Sequence, residues 1–394
     1  MKESVENTPI PLEQPLASTM ARRTFSIGLP KCKNAGERRF PVTPEAAAML
    51  MERGFIVKME NGAADSIHYT DNQYARCGVE LSSRDEALRC DIVIHLDPLC
   101  PDDIRRLKRG ALLLTLLALC RQTKESICEL LKRNIIAVAL DLVEDSKGNT
   151  PFADILAEID GRAAIATAAA LLADPIRGKG ILLGGVAGIV PCEVTVIGSD
   201  IAACAAARSA FGAGAMVRMF DNDVYRLRQA TRELGPGVIG SALHPRVLTN
   251  ALRTADVVIF TDVAGGMTVN SDMVADMKRG VLIYDLTANC GKAFPSIPLV
   301  DLAIAQPSSP AEPTRACYIN AGSAVPRTAA MALSNTLLTM LSDLMTCEGV
   351  TNALKLLPGF QKAAYTFLGK PVNRSIASIA GIRHVDISIY LTLS

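Results

Sequence analysis

The chain carries no surplus of charge of either sign. Its 41 Lys and Arg face 40 Asp and Glu, so no overall field draws it to nucleic acid or to an anionic membrane surface. Aromatic residues are only 4% of the sequence, and no basic stretch is interleaved with them in the manner of a nucleic-acid interface. No two cysteines stand at the CxxC spacing of a metal site. The 11 cysteines sit singly in a chain too large to need staples, which reads as reduced thiols in a cytoplasmic protein with no metal. No apolar run reaches the roughly 20 residues that cross a bilayer; the most apolar, Ala111 to Cys120, is about half that length and suits a buried strand. Residues 1–24 place charges and prolines where a secretion signal needs an apolar core, and read as a flexible extension. No internal repeat or low-complexity segment appears. The partners left are small molecules.

What is present is core material in a repeating order. Hydrophobic residues make up 49% and charged residues 21% of 394, enough for substantial cores, and at roughly 150 residues per domain two domains are expected. Residues 25–29, 55–60, 91–96, 112–117 and 135–140 read as strands, and 70–78, 102–109 and 124–132 as helices. Thr43-Pro44-Glu45 opens another helix, with Thr as cap and Pro at the first helical position. Such alternation implies a parallel sheet with helices on both faces. A long Ala-rich helix at 155–173 and a glycine-rich stretch at 178–188 lead to a second series. Its strands are expected at 193–197, 216–221, 257–260 and 281–285, and its helices at 201–211 and 224–234. A further long helix, 327–344, is expected to return the chain to the first domain, and the apolar residues 387–393 need burial. The fold class is therefore α/β, with two Rossmann-like doubly wound parallel-sheet domains, the first discontinuous. Residues 25–154 and 327–394 form the substrate domain and 155–326 the nucleotide domain.

The second series contains a dinucleotide fingerprint. Its first strand ends at Gly198, a tight turn leads into a helix, and Asp221 ends the next strand at about the 20-residue separation from which an acid meets ribose hydroxyls. Pyrophosphate rests on the helix N-terminus in such a loop. Gly198, Ser199, Ala203 and Asp221 are thus candidate cofactor-binding residues, and Asp221 favours NAD because it repels a 2′-phosphate. One position departs from the pattern. In Gly198-Ser-Asp200-Ile-Ala-Ala203 an aspartate stands where the second glycine lets backbone approach the pyrophosphate. Asp200 adds bulk and like charge, a repulsion of about 1 kcal/mol at about 4 Å in water and about 4 kcal/mol at an effective dielectric of about 20.

The flanking motifs resemble a known family. Ile27-Gly-Leu-Pro-Lys-Cys-Lys-Asn34 and Glu37-Arg-Arg-Phe-Pro-Val-Thr-Pro44 are similar to the opening of alanine dehydrogenases and of the related domain of proton-translocating transhydrogenases. Gly184-Gly-Val-Ala-Gly188 and Asn320-Ala-Gly-Ser-Ala-Val-Pro-Arg-Thr328 resemble alanine dehydrogenase more specifically, and the similarity runs from about residue 25 to about 345. It implies a cytoplasmic, usually hexameric enzyme that uses NAD to interconvert alanine with pyruvate and ammonia. Arg39 falls on the family's carboxylate-binding arginine, a role suited to a guanidinium fork, and Asn320 on the motif taken to meet the cofactor.

Other matched positions differ. Asp91-Ile-Val-Ile-His95-Leu-Asp-Pro98 lacks the family's lysine and offers His95 or Asp97 instead. The family's catalytic histidine corresponds to Ala118, its aspartate to Asn289, and a Ser or Thr on the first long helix to Ala157. An amide orients but does not act as a base. His95, of a type that titrates near 6.5, is the best local substitute for acid–base work, so the candidate catalytic residues are Arg39, His95 and Asn289. Lys31, Lys33 and Arg38 read as solvated, Arg327 as either a cofactor contact or a solvent-facing charge, and His68, His244 and His384 as lacking partners. Three functions compete. The first is an NAD-dependent oxidoreductase that reversibly deaminates L-alanine or a related small amino acid to its 2-oxo acid, impaired by these changes. The second is a catalytically inactive binding or regulatory protein, and the third a transhydrogenase-type nucleotide domain needing a separate membrane partner.

Overall fold

The computed structural model describes residues 24–176, 178–287, 292–304, 315–345 and 350–392. Asn289, and the expected extension up to residue 23, lie outside the described residues. Strands β1 (Ser26–Leu29), β2 (Ile56–Glu60), β3 (Glu80–Ser82), β4 (Ile92–Ile94), β5 (Leu112–Thr115) and β6 (Ile136–Ala139) belong to a first sheet. A second sheet holds β7 (Glu193–Ile197), β8 (Met216–Asp221), β9 (Val238–Ala242), β10 (Val257–Phe260), β11 (Leu282–Asp285), β12 (Leu299–Asp301) and β13 (Cys317–Ile319). The chain then returns, and β14 (Ala364–Phe367) and β15 (Lys370–Pro371) complete the first sheet in the order β15-β14-β6-β5-β4-β1-β2-β3. The second sheet runs β12-β13-β11-β10-β7-β8-β9 and is parallel throughout.

The first sheet departs from the expected all-parallel arrangement at its edge, where β14 pairs antiparallel with β6 and slips register between Ala364 and Thr366. A strand arriving after a long excursion through the other sheet is not bound by the right-handed crossover that keeps consecutive strand–helix–strand units parallel. Elsewhere the apolar runs explain themselves. Every residue of β4, β5, β6 and β10 is buried, as expected of strands covered by helices on both faces.

Five helices of the first half precede α6 (Pro151–Ala173): α1 (Pro44–Glu52), α2 (Asp71–Arg76), α3 (Arg84–Leu88), α4 (Pro101–Arg106) and α5 (Lys124–Lys132). Beside α6 lies α7 (Ile201–Gly212), then come α8 (Val224–Leu234), α9 (Pro245–Thr254) and the short α10 (Ser271–Ala275), and the long α11 (Pro326–Met345) begins the return. Near the end of the chain, Ile387 and Leu391 pack on the first core while Ile389 stays exposed.

Both sheets reverse strand order at one point. In the first it lies between β4 and β1, and in the second between β10 and β7. Ligand crevices in doubly wound sheets form at the carboxyl ends of the strands at such switch points. The loops after β1 and β4 and the loops after β7 and β10 are therefore where this architecture puts chemistry.

Candidate active-site cleft

Arg39 sits in the loop after β1, just ahead of Thr43, whose side chain caps α1. Its side chain is 9% exposed and forks onto Glu37, with Nε donating to Oε1 at 2.8 Å and Nη2 to Oε2 at 2.6 Å. Burial opposes the charge of Arg39, but Glu37 outweighs it and holds the guanidinium above its ordinary range. Ser323 Oγ donates to the same Glu37 at 3.4 Å. Asp160 on α6 and Asp97 also act on Arg39 electrostatically. Burial pushes both carboxyls up, with Arg39 opposing the rise at Asp160 and Arg121 at Asp97. A cavity of about 150 Å³, lined by Cys32, Asn34, Glu37, Arg39, Gly62 and Ser66, opens beside the arginine. That is below the roughly 300 Å³ at which drug-sized pockets begin, and suits only a small ligand.

His95 follows β4 and extends the ladder to Leu114. Its Nδ1 lies 2.5 Å from the carbonyl oxygen of Asp97. A carbonyl only accepts, so Nδ1 carries the proton and Nε2 the lone pair. Nε2 is buried and without a hydrogen-bond partner, and burial holds the imidazole below its ordinary range. The group is neutral and sealed from solvent. Asn34 Nδ2 donates to Asp97 Oδ2 at 3.3 Å, while Arg121 Nη1 lies 2.9 Å from Asp97 Oδ1 as an ion pair without hydrogen-bond geometry. Ala118 begins a left-handed turn with φ 37°, fixed on one side by Leu117 N–H donating to Asp141 at 2.9 Å. A non-glycine residue in that region is uncommon and marks a turn held by its surroundings.

Across the cleft, Gly198 ends β7 with φ 115°, and a Cβ there would meet Thr261 Oγ1 at 2.0 Å. Only glycine fits that turn. Ser199 is buried and donates to Asp221 Oδ2 at 2.5 Å. Ala203 is fully buried in the first turn of α7, its N–H donating to Asp200 Oδ1 at 2.8 Å. Asp221 is 0% exposed. Its Oδ2 also accepts from Arg226 Nε at 3.1 Å and Nη2 at 2.7 Å, and its Oδ1 from Asp223 N–H at 3.0 Å. Burial raises the Asp221 carboxyl, but these donors outweigh it and hold it below its ordinary range. Asn320, in a left-handed conformation, turns its amide to the Gly36 carbonyl and to Asp301 Oδ1 at 3.2 Å. It spans the two halves of the molecule. A second cavity of about 560 Å³ opens at the ends of β10 and β11, lined by Thr261, Asp262, Thr268, Thr287 and Lys292.

Some side chains differ from the sequence reading. His384 Nε2 lies 3.2 Å from the Val372 carbonyl, whereas Lys33 stays 58% exposed while pairing with the buried Asp103 at 2.9 Å, and Arg327 is solvent-facing as well as stacked over the Tyr69 ring at 4.6 Å. Cys120 is disulfide-bonded, which corrects the expectation of reduced thiols throughout; the other eight described cysteines are free. Glu37, Arg121, Asp160 and Arg226 were not singled out from sequence. Glu37 stood inside a quoted motif and Arg226 five residues beyond Asp221, but nothing local points to Asp160 or Arg121. Among the described residues no group of three or more His, Cys, Asp or Glu is placed to hold a metal, and no helix is long and apolar enough to cross a membrane.

Two doubly wound sheets, a dinucleotide-type loop on one and a buried arginine on the other, define a two-domain Rossmann-like architecture. The chain belongs to the alanine dehydrogenase/PNT family, whose N-terminal domain model matches residues 28–159 and whose C-terminal domain model matches residues 164–374. It is 28% identical over 379 residues to the alanine dehydrogenase of Mycolicibacterium smegmatis, covering 93% of this chain and 99% of that one. It is 28% identical over 376 residues to that of Halomonas elongata, covering 92% and 98%. Among solved structures, an L-alanine dehydrogenase matches with TM-score 0.78 at 24% identity, over 90% of this chain and 98% of that one. The transhydrogenase from Sinorhizobium meliloti matches with TM-score 0.71 at 18% identity, over 89% and 99%. These two structures speak to the fold.

Proposed function

We propose that the chain is a ligand-binding member of the family that holds a small amino acid or 2-oxo acid at Arg39 and does not catalyse NAD-dependent alanine deamination. In this reading residues 25–154 with 327–394 hold the ligand, residues 155–326 are the former nucleotide domain, and the protein is a cytoplasmic homo-oligomer, a hexamer by resemblance. One observation carries the reading. The turn that the family resemblance assigns to a proton-transfer group carries Ala118, and the candidate substitute, His95, buries its free nitrogen. Interconverting an amine and a ketone moves a proton at each step, and general acid–base groups contribute about 10²–10⁴-fold each. The test is oxidation of NADH by purified protein with pyruvate and ammonium, alongside calorimetry with alanine and pyruvate. We expect no turnover above background, and ligand binding that Arg39→Ala abolishes. NADH oxidation that requires both pyruvate and ammonium overturns the reading.

A slow NAD-dependent alanine dehydrogenase is the second reading, and one observation favours it. Asp160 is a buried acid that feels the charge of Arg39 and accepts the Gly322 N–H, and burial pushes its carboxyl up, the direction that suits an acid–base group. On that reading a weak turnover is present and Asp160→Asn removes it.

A further inference from the structure

The crevice between β7 and β10 contains a carboxyl group supplied by the chain itself, pushed up by burial and opposed by the backbone donors that hold it. Asp200 is the N-cap of α7, and its Oδ1 accepts the Ala203 N–H at 2.8 Å. Its Oδ2 accepts the Asp262 N–H, from the loop after β10, at 3.2 Å. One donor comes from each lip of the switch-point crevice. In the fingerprint this position is a glycine because the backbone must come close to a pyrophosphate, whose oxygens take the donors at the helix N-terminus. We infer that Asp200 is an intramolecular occupant of the pyrophosphate position, so that this chain keeps a dinucleotide-type loop but does not take up NAD.

The surrounding charges agree with that assignment. Arg226 spends its fork on Asp221 and its Nη2 also on the Asp262 carbonyl at 2.5 Å, and Arg208, which lines the cavity beside Asp200 with it, is paired with Glu233 at 2.5 Å. An incoming pyrophosphate therefore meets the carboxyls of Asp200 and Asp221 beside guanidiniums that are already paired. The two obstacles are unequal. Arg226 is a long side chain, 31% exposed, and can swing aside, whereas Asp200 is short and fixed to backbone on both sides of the crevice. NAD, the cofactor implied by the family, does not fit these residues as they stand.

This rests on an observation independent of the missing proton-transfer group, and the two can fail separately. NADH binding without turnover overturns this inference alone, whereas failure of alanine and pyruvate to bind overturns the ligand-binding reading alone. The experiment is calorimetric titration of the full chain with NADH. The wild type is expected to bind nothing at micromolar concentrations, and Asp200→Gly to bind at least about tenfold tighter. Asp200→Ser keeps an oxygen acceptor for the Ala203 N–H, so the cap survives if the glycine variant does not fold. Micromolar binding by the wild type, or no gain in either folded variant, overturns the inference. Amide exchange on the wild type decides without any variant. NADH is expected to leave residues 198–203 and 261–263 unchanged, and added protection there overturns the inference too.

Discussion

Asp103 is 1% exposed, yet it is surrounded by donors. Arg84 reaches it at 2.7 and 3.0 Å, Lys33 at 2.9 Å and the Cys100 thiol at 3.0 Å. Burial alone would raise this carboxyl, but these bonds outweigh it and hold it well below its ordinary 3.8. A depressed carboxylate contributes stability that is fully present above its unfolded value and is lost as pH falls through the folded one. Asp103→Asn removes one of the two carboxylates that hold Arg84 and leaves Glu60 at 2.8 Å, so we expect a loss of about 2 kcal/mol in denaturant unfolding at pH 7. The difference from wild type should narrow below about pH 4, where the carboxyl of the unfolded chain takes up its proton before the folded one does. A difference that does not change with pH would count against this account. Sequence could not supply the pairing, because Lys33 and Asp103 lie 70 residues apart and each alone resembles a solvated charge. His95 shows the same limit: its type and place were legible, but the burial of Nε2 depends on packing.

At the scale of elements, the contact between α6 and α7 is set by small residues. A Cβ on Gly161 would lie 2.2 Å from the Ala202 carbonyl oxygen and 3.0 Å from Ala205 Cβ. In an open helix Gly→Ala gains about 1 kcal/mol; here overpacking costs about 1–3 kcal/mol, and because the clash is with backbone the upper end applies. Gly161→Ala should therefore lower stability by about 2 kcal/mol, read as a lower urea midpoint with an unchanged slope. A raised midpoint would show that the helices part freely. Both helices were legible, although α6 begins at Pro151 rather than 155 because Pro suits the first turn. Strands β3 and β9 were not. They are sheet edges, β9 is exposed along most of its length, and no alternation of apolar and polar residues marks them. The antiparallel β14 was hidden for another reason: Ala364 pairs with Val138, far away in sequence.

The two halves of the whole molecule meet through polar contacts close to the cleft. Asn320 donates to the Gly36 carbonyl and to Asp301, Gly322 N–H donates to Asp160 Oδ1 at 2.7 Å, and Ser323 donates to Glu37. A Cβ on Gly36 would lie 2.8 Å from Asp301 Oδ2, so a side chain there would push the Asp301 carboxylate aside. Motif resemblance pointed to Asn320 as a cofactor contact, while in the folded chain its amide is already used between the halves; only the three-dimensional juxtaposition of residues 36, 301 and 320 makes that visible. The two roles give different outcomes in the ligand-free protein. If Asn320 is a latch, Asn320→Ala should speed amide exchange around residues 34–37 and 301–303 and leave the central strands β4, β5, β7 and β10 protected, because each sheet has its own core. Unchanged exchange at the seam would mean that the remaining contacts suffice to hold the halves together, and that the amide is free to serve a bound ligand.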